Sequence, residues 1–286
     1  MGNTPEQSKI AYSGIEGSFA QIAVSGIFPD AAPVPYRNFH EAYDAVLQSV
    51  CDAAVLPIEN SYAGEVGQVT ELMFHGALAV TGVYELPIRH CLLGIPGAGM
   101  DTVKTVVSHP QALEQCSDFV ALHGFEILSY ENTARAAWYV ANEGDPTKAA
   151  IASSVTAKLY GLHVIEDNIS DSPDNTTRFA VFKKPDTGYN ETGQEGGKVN
   201  SILLFTVRHE SGTLARALSV LSDFGYNMRM IRSRPLKNRN WEYYFYTEVE
   251  GDLFSEKGKQ MLSGLKYECG ELKVVGTYEP GLTLEA

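Results

Sequence analysis

The chain is predicted to be an α/β protein with a smaller βαββαβ unit at its C-terminal end, on three observations. From Ile10 to Lys183, short apolar runs alternate with amphipathic stretches, and repeated strand–helix units imply largely parallel sheets with covered faces. A polar stretch rich in glycine and threonine, 185–197, then breaks the alternation and reads as an interdomain linker. The length of 286 residues exceeds that of a usual single domain. The expected organisation is therefore a larger unit over 8–184, the linker, and a compact unit over 198–282.

The elements follow in order. Lys9 to Ser13 reads as a strand and Gly17 to Phe28 as a helix; Ala32 to Tyr36 is a second strand. Phe39 to Val50 is a second helix, with Ala42, Ala45, Val46 and Leu47 near helical spacing. Ala53 to Ile58 is a buried strand, and a helix follows around Val66 to His75. Three further strands, Val103 to Val107, Phe125 to Tyr130 and Ala149 to Ala152, each run into a helical pattern. Those helices are Pro110 to Leu122, Thr133 to Asn142 and Ser154 to Tyr160. The apolar stretch Leu78 to Leu93, between the two groups of units, fits a strand passing from one to the other. After the linker come a strand (Val199 to Val207), a helix (Thr213 to Phe224) and a strand (Met228 to Ser233). A turn around Asn238-Arg239-Asn240, a strand (Tyr243 to Val249), a helix (Glu256 to Leu265) and a strand (Leu272 to Tyr278) complete a ferredoxin-like unit.

Composition narrows the partners. An apolar fraction of 44% and a charged fraction of 20% are those of a soluble globular protein. No apolar run reaches the length of a membrane span. The leading segment, Met1 to Lys9, carries no apolar core or basic cluster; it is expected to be disordered, with a cytoplasmic location. Cys51, Cys91, Cys116 and Cys269 are widely spaced, which suits reduced, packed thiols and no structural metal. A net charge of −13 argues against nucleic acid and anionic membranes.

Four junctions carry candidate chemistry. Asp174-Asn175-Thr176-Thr177-Arg178-Phe179 sets hydroxyls, an amide and a guanidinium at the start of an apolar strand, a combination suited to holding and protonating a small anion. The same residues are ordinary loop formers. Ser13-Gly14-Ile15-Glu16-Gly17-Ser18 offers a close backbone approach and a helix N-terminus, or simply a tight turn capped by Ser18. Glu59-Asn60-Ser61 ends a buried strand at the edge where parallel sheets place ligands. Ser108-His109-Pro110-Gln111 repeats that arrangement, with Ser108 or His109 as cap, Pro110 at the first helical position, and Gln111 unexplained by capping. Ala152-Ser153-Ser154 follows the same logic, with capping the favoured reading.

In this combination and order, Leu56-Pro57-Ile58-Glu59-Asn60-Ser61, Ser108 to Cys116 and the triplet Thr177-Arg178-Phe179 resemble the prephenate dehydratase family. Gly14-Ile15-Glu16-Gly17-Ser18-Phe19 resembles its Gly-Pro-Glu-Gly-Thr-Phe pattern, and His90-Cys91-Leu92 its hinge strand. The resemblance covers nearly all of residues 9 to 183. It implies two α/β lobes around a cleft, like type II periplasmic binding proteins, with Thr177 to Phe182 returning to the first lobe. It implies conversion of prephenate to phenylpyruvate without a cofactor. Thr177 is then the catalytic donor, with Glu59 or His109 as the competing acids. Ser18, Asn60, Ser61, Ser108, Gln111, Thr176, Arg178 and Phe179 are the implied substrate-binding positions. Strand alternation nevertheless turns the Arg178 side chain away from Thr177.

The C-terminal unit resembles an ACT domain, which implies phenylalanine as effector and pairing into a homodimer or homotetramer. The family's Gly-Ala-Leu motif reads Gly212-Thr213-Leu214 here, and its Glu-Ser-Arg-Pro motif reads Arg232-Ser233-Arg234-Pro235, with a charge reversed at Arg232. Asn227 lies where a family asparagine meets the ligand. The alternative is a module that only dimerises. For the whole chain the competing readings are an arogenate dehydratase on the same scaffold and a catalytically silent amino-acid-binding regulator. No chorismate mutase helix bundle is legible, so the chain is expected not to make its own substrate.

Overall fold

In the computed structural model, residues 7–185, 198–237 and 242–285 are described, and they form two mixed sheets. The first lobe contains β1 (Lys9–Ser13), α1 (Phe19–Ile27), β2 (Ala32–Tyr36), α2 (Phe39–Leu47), β3 (Ala53–Asn60), the short β4 (Gly64–Glu65), α3 (Gly67–His75) and β5 (Ala79–Pro87). The second contains β6 (Cys91–Gly94), β7 (Thr105–Ser108), α4 (Pro110–Glu114), α5 (Ser117–His123), β8 (Glu126–Ser129), α6 (Thr133–Glu143), β9 (Lys148–Ala152), α7 (Ser154–Tyr160) and β10 (His163–Glu166). β11 (Thr176–Lys183) returns to the first lobe and lies between β3 and β5, antiparallel to both. The parallel expectation holds for β1 with β2 and β3, and for β7 with β8 and β9. It fails at the strands next to the crossovers, because a chain that leaves one lobe and re-enters it reverses direction there.

The apolar run Leu78 to Leu93 is two strands in two sheets, broken over residues 88–90, rather than one strand. The helix expected over Pro110 to Leu122 is also two: Cys116 adopts φ −123° between them. Asp171, on the returning crossover, accepts from the Asp118 amide (3.2 Å) and from Ser117 Oγ (2.9 Å), capping α5. β10, which pairs with β6, has no legible signal in the sequence.

The C-terminal module comprises β12 (Asn200–Thr206), α8 (Thr213–Asp223), β13 (Met228–Pro235), β14 (Tyr243–Glu250), α9 (Glu256–Glu268) and β15 (Leu272–Tyr278), followed by β16 (Leu282–Thr283). The turn at Asn238-Arg239-Asn240 and residues 186–197 of the expected linker lie outside the described residues, as do residues 1–6.

Module and first lobe share one sheet, because β15 runs parallel to β5 at Gly276 and Val80. A Cβ on Gly276 would collide with the Val80 carbonyl oxygen, so only glycine permits the approach. One hydrophobic core runs through both, joining Leu56, Met73 and Phe182 to Leu204, Tyr244 and Val275. The Lys273 ammonium reaches from β15 to the Met73 (2.6 Å), Phe74 and Gly76 carbonyls, satisfying the exposed end of α3. Phe74 stacks on Tyr244 with ring centroids 4.4 Å apart. The open sheet face of the module is thus partly covered by the first lobe.

Candidate active site

The pairing of β3 with β11 builds the centre of the site. Thr177 stands opposite Asn60 and Arg178 opposite Glu59, and the register then shifts between Arg178 and Phe179, leaving Ile58 without a partner. Strict alternation would put Ile58 and Asn60 on one face. The bulge instead sets Asn60 on the face of Thr177 and Glu59 on that of Arg178. Two functional faces result.

On the first face, Asn60 is 8% exposed and its carboxamide is fully committed. Its Oδ1 accepts from the Tyr62 (3.0 Å) and Ala63 (2.8 Å) amides, which fixes which end is nitrogen. Its Nδ2 donates to Asn175 Oδ1 (2.7 Å), Thr177 Oγ1 (3.0 Å) and, more weakly, the Thr176 carbonyl (3.3 Å). Thr177 Oγ1 is therefore an acceptor towards Asn60, and its own hydrogen is left for another partner. Asn60 positions the hydroxyl, with both of its amide hydrogens engaged inside the protein.

The second face points into the C-terminal module. Arg178 Nη1 and Nη2 donate to both oxygens of Glu248 at 2.9 Å each, Nη1 reaches Glu59 at 3.2 Å, and Nη2 bonds the Tyr278 hydroxyl at 2.9 Å. Arg232 from β13 also donates to Glu59. Burial would raise the Glu248 carboxyl, but the Arg178 guanidinium and the Tyr246 and Tyr278 hydroxyls outweigh it and hold it below its ordinary value. Arg178 therefore lies on the face away from Thr177, and Glu59 on that same face is paired to two arginines. The alternation of the strand and its bulge set both side chains on that face.

The other expected residues divide. Ser61 staples the run before β11: its Oγ accepts from the Thr176 amide (3.0 Å) and donates to the Asp174 carbonyl (3.2 Å). Thr176 Oγ1 donates to that same carbonyl at 3.4 Å. Phe179 is core, packed with Val24 and Val181 under α1. Ser108 is wholly buried and donates to the Ile151 carbonyl (2.6 Å). His109 caps α4 by accepting from the Gln111 amide through Nδ1 at 3.2 Å. Burial lowers its pKa, so the ring is neutral at physiological pH, and a neutral capping imidazole is a poor acid. Gln111 is exposed and its side chain has no hydrogen bond among the described residues. Ser18 caps α1, accepting from the Gln21 amide at 3.4 Å.

The lobes meet directly beside these groups. Gly17, at φ +84°, lies so close to α7 that a Cβ would stand 2.8 Å from Thr156 Cγ2. Ser153 Oγ donates to the Gly17 carbonyl (3.5 Å), and the Tyr160 hydroxyl to that of Glu16 (3.1 Å). Between the lobes the two crossovers run side by side, with the Ile88 amide donating to the Asn175 carbonyl at 2.7 Å. Asn175 belongs to the run that opens on β11, yet its residue type is ordinary loop chemistry and gives no sign of burial.

In the module, Gly212 takes φ +83° and opens α8, and Thr213 Oγ1 is consumed by the Arg208 (2.6 Å) and Glu210 (2.9 Å) carbonyls. Leu214 packs against the module core. Asn227, Ser233 and Pro235 are exposed. Arg232 and Arg234 are not free for a ligand in this arrangement, since Arg232 pairs with Glu59 and Arg234 with Glu65 (2.9 Å). Among the described residues, no helix is long and apolar enough to cross a membrane, and no cluster of acidic, histidine and cysteine side chains could hold a metal ion.

The comparisons with known proteins converge on this architecture. Residues 10–187 match the prephenate dehydratase family model and residues 201–253 the ACT domain model. Arogenate dehydratase/prephenate dehydratase 1 of Arabidopsis thaliana is 31% identical over 94% of this chain and 71% of its own length. The bifunctional chorismate mutase/prephenate dehydratase of Enterobacter agglomerans is 33% identical over 95% of this chain and 70% of its own. Among solved structures, a prephenate dehydratase from Arthrobacter aurescens in complex with L-Phe superimposes with a TM-score of 0.85 at 25% identity, covering 95% of this chain and 89% of that one. One described as a novel type of quorum quenching acylase superimposes with a TM-score of 0.86 at 28% identity, covering 96% and 98%. The chain belongs to the prephenate dehydratase family.

Proposed function

We propose that the chain is a prephenate dehydratase, turning prephenate into phenylpyruvate in L-phenylalanine biosynthesis, with Thr177 as the donor to the departing oxygen. The observation that carries this is the Asn60–Thr177 hydrogen bond: with its oxygen accepting from Asn60, the hydroxyl keeps its proton free to donate. In the reaction the bond from the ring to its carboxylate carbon breaks and carbon dioxide leaves. The electron pair moves through the ring, the carbon–oxygen bond opposite breaks, and the oxygen takes a proton and departs as water. Aromatisation drives the step, so assistance to a poor leaving group is what the protein must add, typically about 10²–10⁴ in rate. Threonine supplies that proton and recovers one from solvent.

Substrate carboxylates are held by backbone amides at the start of α1 and by the Gln111 side chain, which has no internal partner among the described residues. Reduced thiols suit a cytoplasmic location: Cys51, Cys91 and Cys116 are free and buried. Pairing of modules uses β13, which ends the long sheet with an edge that no other strand of the described residues covers. The effector is phenylalanine, bound at the start of α8 with Asn227 and Ser233 and shared between two modules. Acyl transfer has no support at Thr177, since among the described residues no imidazole or carboxylate touches its hydroxyl to act as base.

The test is turnover of prephenate and of arogenate, each with and without phenylalanine, with the assembly state measured alongside. Prephenate should be converted and phenylalanine should alter the rate. Turnover of arogenate alone would move the assignment to arogenate dehydratase, and turnover of neither would leave a silent amino-acid-binding regulator.

A further inference from the structure

Asn175 is 3% exposed, and its carboxamide is oriented by a chain of bonds that begins on the backbone. The Tyr62 and Ala63 amides fix Asn60 Oδ1, so Asn60 Nδ2 is the donor and Asn175 Oδ1 must accept. Asn175 Nδ2 therefore carries two hydrogens on the opposite side of its amide, and that buried nitrogen has no acceptor among the described residues. Buried polar groups are nearly always bonded, and an exception calls for a partner. The main chain of Asn175 is held as well, its carbonyl accepting from Ile88 at the point where the two crossovers run together between the lobes. The residue is fixed at both ends beside Thr177, with one donor unspent.

We propose that the Asn175 carboxamide is a second hydrogen-bond donor of the reaction, acting with the Thr177 hydroxyl on the oxygen that leaves the ring. Both groups bond the same Asn60 nitrogen, Asn175 through its oxygen at 2.7 Å and Thr177 at 3.0 Å, so one amide anchors both side chains. The two free donors are then fixed before substrate arrives, and preorganised donors act on charge that develops in the transition state. A neutral threonine alone is a weak acid. An amide beside it stabilises the departing oxygen without having to transfer a proton. This rests on the dehydratase reading, and the parent enzyme separates the two: failure of the parent to convert prephenate ends that reading, whatever the variants do.

With an active parent, Asn175→Asp and Asn175→Ala are compared with it for kcat, KM and melting temperature. Asn175→Asp keeps an oxygen to accept from Asn60 and replaces the donor nitrogen with oxygen. We expect kcat to fall by about 10²–10³ in both, the size seen on removing one such donor, with KM within about threefold. In Asn175→Asp, protonation of the introduced carboxylate regains a donor, so the ratio of variant to parent kcat should rise as pH falls towards about 5, nearer the ordinary carboxyl range. Asn175→Asp with parental kcat at every pH would show that Asn175 only holds Asn60, and overturn the proposal. A rise in KM with unchanged kcat would make it a carboxylate anchor, and overturn it equally. Parental kinetics in Asn175→Ala would mean that a buried water satisfies the nitrogen, with the same consequence. Should Asn175→Ala fail to fold, the nearly isosteric Asn175→Asp carries the test alone.

Discussion

Asn60 Nδ2 donates to Thr177 Oγ1 across 3.0 Å between neighbouring strands, and the backbone bonds to Asn60 Oδ1 make the direction unambiguous. A hydroxyl held in this way is an oriented donor, so the two residues form one functional unit with separable contributions.

Replacing Thr177 removes the donor and little else, because the lost atoms are few and the strand around them is held by its neighbours on both sides. Thr177→Ala should lower kcat by at least about 10² with KM little changed, and Thr177→Ser should retain more. Steady-state kinetics on prephenate decide it; turnover of Thr177→Ala within about threefold of the parent removes this hydroxyl from the mechanism.

Asn60→Asp should be inactive for a different reason. Its carboxylate would accept the Thr177 proton rather than donate to its oxygen, turning the hydroxyl away from substrate. Because the bond to Asn175 is also lost in a buried site, stability should fall by about 1–3 kcal/mol. Chemical denaturation beside kinetics checks both parts, and a stable, active Asn60→Asp would refute the orienting role.

The Arg178–Glu248 pair fastens the module to the first lobe, and Glu248 is only 2% exposed. Glu248→Ala leaves a buried guanidinium short of its bidentate partner and should cost about 3 kcal/mol. The pair also sets an acid limit. A carboxyl whose pKa is lower folded than unfolded contributes its stability above the unfolded value and loses it as pH falls through the folded one. For Glu248 that loss begins below its ordinary 4.5. Melting curves between about pH 3 and 7 should show a smaller acid-dependent drop in Glu248→Gln than in the parent.

The partner of Arg232 is Glu59, adjacent in sequence to Asn60. Arg232→Glu would set two carboxylates against each other and should destabilise by about 1–3 kcal/mol. Adding Glu59→Gln should recover part of that loss. Strict additivity in the double-mutant cycle would mean that the two side chains are not coupled in solution.

Gly276→Ala tests the shared sheet. With the added carbon driven into the Val80 carbonyl oxygen, β15 must move away from β5, at a cost of about 1–3 kcal/mol. The accompanying signature is faster proteolytic cleavage between the catalytic unit and the module. Parental melting and proteolysis would show that the strands are not joined there.

The order and type of most elements can be read from the residues alone, because helical spacing, apolar runs and caps are local properties, but β10 and the divisions between β5 and β6 and between α4 and α5 cannot. Ala32 to Tyr36, Ser154 to Tyr160 and Leu272 to Tyr278 fall where the residues place them. The motifs single out Thr177 as a donor and Asn60 as a binding position, and alternation turns Arg178 away from Thr177. What each of these side chains meets is a property of the folded chain. A bulge at Ile58 sets Asn60 on the face of Thr177 and Glu59 on that of Arg178, and a bulge depends on a partner strand far away in the chain. The burial of Asn175, the capping by His109 and the union of module and lobe at Gly276 and Val80 likewise depend on how the chain packs. Residue type and spacing do not encode such contacts, since they appear only when the crossovers bring the chain back upon itself.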